Sequence, residues 1–192
     1  MPEPDKTRIH AFETSKMFWQ WLQLHHASEP ELWLKIFKKG SGQKTITWEE
    51  AVIEALCWGW IDSVKKSFDD QAYLQRFTPR KKGSNWSKIN REHVERLIAE
   101  GRMQEPGLVH VRAAQADGRW DAAYAPASEM TIPEDFLAAL EERPVAKAFF
   151  ETLNRQNCYV IAYRLQTAKK PETRQKRFVQ FLNMLEKGEK LY

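Results

Sequence analysis

The chain has little cysteine: two residues in 192, Cys57 and Cys158, far apart and in no CxxC pair. That pattern gives no disulfide framework. It suits two reduced, buried thiols in a reducing compartment, with a disulfide or a nucleophile as the alternatives. Long apolar runs are also missing. The longest, Ala51 to Ile61, is interrupted by Glu54 and falls far short of the ~20 residues that cross a bilayer, so no transmembrane segment is expected. The opening MPEPDKTRIHAFETSKMF has neither an apolar h-region nor a small-residue cleavage site, so export by a signal peptide is not expected and a cytosolic location is. No HExxH, clustered Cys/His or EF-hand pattern appears. The adjacent His25 and His26 point about 100° apart on a helix, His93 lies on the inner stripe of its helix, and His110 sits in a short helix with no acidic or cysteine partner at ligand spacing. Metal is therefore not expected. With no GxSxG elbow, P-loop or GxGxxG, neither a cofactor nor a reaction follows from motifs.

What is present is ordinary in bulk and unusual in detail. Apolar and charged fractions of 42% and 29% suit a folded globular chain rather than a disordered one. The length fits one domain, or one domain with a helical extension. A formal charge of +4 favours acidic partners in a general way, and eight tryptophans are many for this size.

Periodicity predicts an α+β architecture: a small antiparallel sheet of about three strands with flanking helices, then a helical bundle. The first ten residues read as a loose, polar lead-in. A helix follows from about Thr14 to His26, and then a strand in which Leu32, Leu34 and Ile36 face one way. Thr47 and Glu50 form a capping box, and Val52, Ile53, Leu56 and Cys57 share one face of the helix that Gly59 ends. Trp60–Lys66 and Ala72–Phe77 read as a hairpin that sets Asp62 opposite Gln75 or Arg76, with Pro79 stopping the second strand. A helix near Trp86 carries the stripe Trp86, Ile89, His93, Val94, Leu97 and Ile98, and another spans about Gly107 to Asp117. Four more helices are expected after about Pro133, with Leu137 and Val145 among their inward positions. The domain reading is residues 1–118, a linker at 119–131, and a helical domain at 132–192.

The candidate site is Cys57 to Arg91. From Arg76 to Arg91 there are six basic residues and no acidic one, bracketed by Trp58, Trp60 and Trp86. Exposed indoles beside fixed positive charge suit a planar anion, so a nucleotide or single-stranded nucleic acid is the expected partner. Trp58, Trp60 and Trp86 would stack, Arg76, Arg80 and Lys88 would pair with anionic groups, and Asp62 would orient an arginine across the hairpin. Ser87 would offer a helix-start contact. A second wall is Lys169, Lys170 and Arg174 within TAKKPETRQKR, where helix-end electrostatics also explain the charge. Two rival readings use the same residues. In one, Asp62 is an acid or base and Arg76 and Arg80 hold an anionic substrate. In the other, the tryptophans are core, the cations form a solvated loop, and the chain is a structural or interaction module.

Four phrases taken together resemble the YdeI/OmpD-associated family, also called bacteriocin-protection proteins: EEAVIEALCWGWIDS at Glu49–Ser63, YLQRFTPR at Tyr73–Arg80, SNWSKIN at Ser84–Asn90, and YRLQTAKKPETRQKRF at Tyr163–Phe178. The likeness runs from about Trp21 to Lys190, and the part from about Ile132 resembles the helical domain that carries the family name. The resemblance implies a role in stress tolerance or in protection against cationic antimicrobial peptides alongside an outer-membrane porin. It implies no catalytic residue.

Overall fold

The computed structural model describes residues 3–190. The expected α+β, mostly helical chain is found, with eight α-helices among the described residues and four strands where about three were expected. Met1 and Pro2 of the lead-in, and residues 191 and 192 of the last domain, lie outside the described residues.

The additional strand comes from the lead-in. Asp5 accepts from the amide of Thr7 at 3.0 Å and turns Lys6–Arg8 into a short 3-10 segment. That aims β1 (Ile9–His10) along β2 (Leu32–Phe37), to which it is parallel. Two residues are too few to show a period, so no sequence pattern announces this strand. Helix α1 (Ser15–His25) lies between them in the chain, capped by the Thr14 hydroxyl on the amide of Met17. The capping box forms at α2 (Trp48–Cys57), with Thr47 and Glu50 satisfying each other's amides.

Strands β3 (Trp60–Ser67) and β4 (Ala72–Pro79) form the expected hairpin, and the sheet order is β1-β2-β4-β3. Its register differs from expectation: Asp62 lies opposite Phe77, not Gln75 or Arg76. A bulge between Asp62 and Lys65 then sets Lys65 opposite Gln75. Three residues apart in a regular strand, these side chains would point to opposite faces. The bulge returns both to the same face.

Opposed residues share a face, so Leu32, Leu34 and Ile36 lie with Phe77, Gln75 and Tyr73, and with Asp62 and Lys65. Phe18 of α1 meets Phe77 there edge-on at 5.7 Å. Arg76 and Trp33 occupy the other face. Trp33 is nevertheless fully buried, its indole N–H donating to Glu31 at 3.2 Å.

Helix α3 (Lys88–Ala99) starts two residues later than the Trp86 stripe implied. Of that stripe Trp86, Val94 and Leu97 are buried, whereas Ile89 and Ile98 are exposed. Helix α4 (Glu105–Ala116) packs on the end of α2. A Cβ at Gly107 would meet the carbonyls of Cys57 and Leu56 at 2.5 and 2.8 Å, so only glycine permits this approach. Gly59 has φ +71° and faces the Pro106 carbonyl, which excludes a side chain twice over.

The chain divides into two compact units. The first holds the residues up to Trp86 together with Asn90–Ala122; the second holds Ser87–Ile89 and the residues from Ala123. In the second, α5 (Glu134–Glu141), α6 (Pro144–Glu151), α7 (Arg155–Gln166) and α8 (Pro171–Glu186) enclose Phe136, Leu140, Ala146, Ile161, Leu165, Phe181, Leu182 and Leu185. Leu137 and Val145, expected inward, are exposed. With helices this short, a single inward stripe is enough to close the core.

Candidate functional site

The three tryptophans of the Cys57–Arg91 segment are inside the first unit, not on its surface. Trp58 is buried and meets Trp19 edge-on at 5.4 Å. Trp60 is buried, donates its indole N–H to the His26 carbonyl at 3.1 Å, and meets Trp21 at 5.7 Å. Trp86 is 2% exposed and packs edge-on against Trp120 at 4.9 Å. Their shared role in this fold is packing: bulky apolar rings with one N–H suit a small core.

The arginines are engaged as well. Arg80 is 5% exposed, its guanidinium 3.7 Å from the centre of the Trp86 ring, and it donates to the Asn85 carbonyl at 3.2 Å. Stacking of cation and indole therefore occurs, but within the protein. Arg76 is paired with Glu31 at 2.6 Å on the sheet face away from Asp62, so Asp62 does not orient it. Arg91 donates to the Trp120 carbonyl, and Arg119 to that of Ser84, tying down residues that read as linker. In the second unit Ser87 bridges to Tyr124, and the Lys88 amide donates to the Tyr124 carbonyl at 2.9 Å. Lys88 itself is exposed. Lys169 and Lys170 are exposed beside the start of α8, while Arg174 is ion-paired with Asp135 at 2.7 Å. Lys169 and Lys170 lie past the end of α7 at Gln166 and at the start of α8, so attraction to the end of the preceding helix does not account for them, and Arg174 is held by a tertiary ion pair.

Of the residues expected in the first unit's site, Asp62 lines an opening. The loop between β2 and α2, together with the exposed end of the sheet face, encloses an open groove of about 840 Å³. Its rim carries Lys38 and Lys39, and its walls include Trp48, Lys65 and Tyr73. A smaller recess of about 290 Å³ shares Trp48, Lys65 and Tyr73 with the groove and adds Asp62, Ser63 and Gln75. Trp48, the first residue of α2, is 47% exposed and donates its indole N–H to the Asp62 carboxylate at 3.0 Å. The Lys65 ammonium sits 4.1 Å from the centre of the Tyr73 ring, and that of Lys38 donates to the Asp69 carbonyl at 3.1 Å. Burial raises the Asp62 carboxyl above its ordinary pKa, opposed by the Trp48 hydrogen bond, its own amide and the charge of Arg80.

The sequence reading missed Trp48, Lys65, Tyr73, Lys38 and Lys39. One signal was available for Trp48: a large aromatic directly after a capping residue has no preceding turn to pack on. No such signal existed for Lys65, because the bulge decides its face. A separate recess of about 300 Å³ is lined by Arg8, His10, Trp21, His25 and two glutamates. Burial, with His25 nearby, lowers the pKa of His10 there. Among the described residues no group of three His, Cys, Asp or Glu side chains is placed to hold a metal ion. No described helix is long and apolar enough to cross a membrane.

Comparison with known families gives two matches. Residues 10–110 match a domain of unknown function, DUF8412, and residues 129–188 match the bacteriocin-protection, YdeI or OmpD-associated family. Searches of curated proteins and of solved structures find no match to this chain. With the first match spanning more than half of its length and the second lying in the helical unit, the chain belongs to the DUF8412 family and carries a YdeI/OmpD-associated domain after it.

Proposed function

We propose that this protein is a binding protein for a nucleotide, held in the groove between the β2–α2 loop and the sheet. One observation carries the reading: a half-exposed indole, Trp48, shares a groove with Lys38, Lys39 and Lys65. A base can stack on the ring while phosphates pair with the ammonium groups. The ligand class is the one the Cys57–Arg91 segment suggested, but it rests on different residues. The net charge of +4 favours an anion over direct capture of a cationic peptide. Bacteriocin protection, which the second matched family carries in its description, is the setting we propose for the activity.

Titration with mononucleotides and short oligonucleotides, followed by tryptophan emission, tests this reading. The expected result is a change in emission that is lost in Trp48→Phe, with binding that weakens as salt rises. Unchanged emission and no salt-sensitive binding by calorimetry would refute it.

A second reading has one specific observation in its favour. The Asp62 carboxyl is held by an indole N–H in a recess beside Ser63 and Lys65, and burial raises its pKa, which suits an acid or base. Phosphate release from bound nucleotides, abolished by Asp62→Asn, would favour this enzymatic reading. Intact nucleotide after prolonged incubation leaves the binding reading.

A further inference from the structure

The groove and the smaller recess are chemically unlike. The larger opening has Lys38 and Lys39 on its rim and, among the described residues, no acidic one along its walls. The smaller one contains the carboxylate of Asp62. The two share Trp48, Lys65 and Tyr73 in their walls, so they adjoin one another. The site therefore has a cationic end and an acceptor end, with an indole between them.

We infer that the groove reads its ligand by this polarity: Asp62 accepts from the hydrogen-bond-donor edge of a purine ring, and Lys38 and Lys39 take its phosphate. The inference rests on the nucleotide reading above and names the part of the nucleotide that is selected. A carboxylate has about four acceptor positions. In Asp62 one of these is used by Trp48 Nε1. The remaining capacity is enough for two adjacent N–H donors, the arrangement on the edge of guanine. A ring without such donors would cover the carboxylate and leave it unsatisfied, which is how a polar site rejects an analogue of the right shape. Trp48 is then a positioning residue as well as a stacking surface, since its N–H fixes the carboxylate while its ring lines both openings.

Calorimetric titration with guanosine 5′-monophosphate, purine riboside 5′-monophosphate and inorganic pyrophosphate tests the inference. Purine riboside keeps the fused ring but has no N–H on that edge. The guanosine nucleotide is expected to bind about tenfold more tightly than the purine riboside nucleotide. Asp62→Asn should abolish that preference, weakening the guanosine nucleotide and relieving the penalty on purine riboside monophosphate. Trp48→Phe, which retains a ring and loses the N–H, should narrow it. Near-UV circular dichroism establishes that each variant is folded, and the second variant carries the test if the first is not. Lys38→Ala with Lys39→Ala should weaken all three probes together. Equal affinities for the two nucleotides, unchanged by Asp62→Asn, would overturn the inference and leave the nucleotide reading standing. If neither nucleotide binds, both fall.

Discussion

Two regions of the first unit combine indoles with cations, and they do opposite things with them. Around Trp86 the guanidinium of Arg80 lies on the ring and both are buried, with Trp120 packed edge-on against the indole. Around Trp48 the ring is half open to solvent, and Lys38, Lys39 and Lys65 line the same groove. The denser cluster in the sequence is the structural one. The sparser cluster, spread over the β2–α2 loop, α2, β3 and β4, is the one a ligand can reach. An arginine suits the first role because its planar, weakly hydrated head stacks and still reaches a backbone carbonyl. A lysine suits the second because its compact charge stays in water.

The sharpest test of the contrast is Trp86→Ala against Trp48→Ala. Removing the buried ring should cost about 3–5 kcal/mol of stability, and removing the open one under ~1 kcal/mol, both read from urea denaturation. Similar losses at the two sites would break the distinction. Arg80→Ala is expected to cost about 2–3 kcal/mol, through lost packing on Trp86 and an abandoned Asn85 carbonyl. A neutral result would mean that this guanidinium does not support the buried cluster. In the groove, Lys38→Ala with Lys39→Ala should leave the urea midpoint nearly unchanged. The same pair should weaken nucleotide binding about tenfold, or ~1.4 kcal/mol, and flatten its salt dependence.

The smallest expected effect is on stability at Asp62. Its carboxyl binds a proton more tightly in the folded chain than in the unfolded one, so stability falls as pH rises from the ordinary carboxylate range through the raised pKa. Above that pKa the deficit is complete. Asp62→Asn should therefore raise stability at pH 7, by under ~1 kcal/mol in urea denaturation, and the gain should vanish on acidification below the ordinary carboxylate range. A gain that grows toward acid pH would contradict the role of burial. The expected gain at pH 7 makes the Asp62 recess a site kept at a cost in stability, unlike the buried cluster, whose contacts support the fold.

Much of the architecture was legible from local signals. Thr14, Thr47 and Gly59 marked helix ends because capping and left-handed turns are decided by residues a few positions apart. The alternation of Leu32, Leu34 and Ile36 marked a strand for the same reason. The hairpin was legible from its turn residues, but its pairing was not. A bulge adds one residue to one strand, and nothing in Asp62-Ser63-Val64-Lys65 states where the ladder slips. Trp33 shows the complementary failure: its position in the alternation points it away from the Leu32 face, yet it is fully buried there, beside the Glu31–Arg76 pair.

The sequence by itself determined which stretches are helix and strand, where most of them stop, and which ones carry positive charge. These depend on neighbours along the chain, whose spacing the covalent backbone sets. Tertiary structure decided which indoles meet water and which cations share a wall with them. Exposure is a property of what packs on top of a residue, and for Trp48, Lys65 and Asp62 those neighbours come from separate elements brought together only when the sheet and α2 assemble.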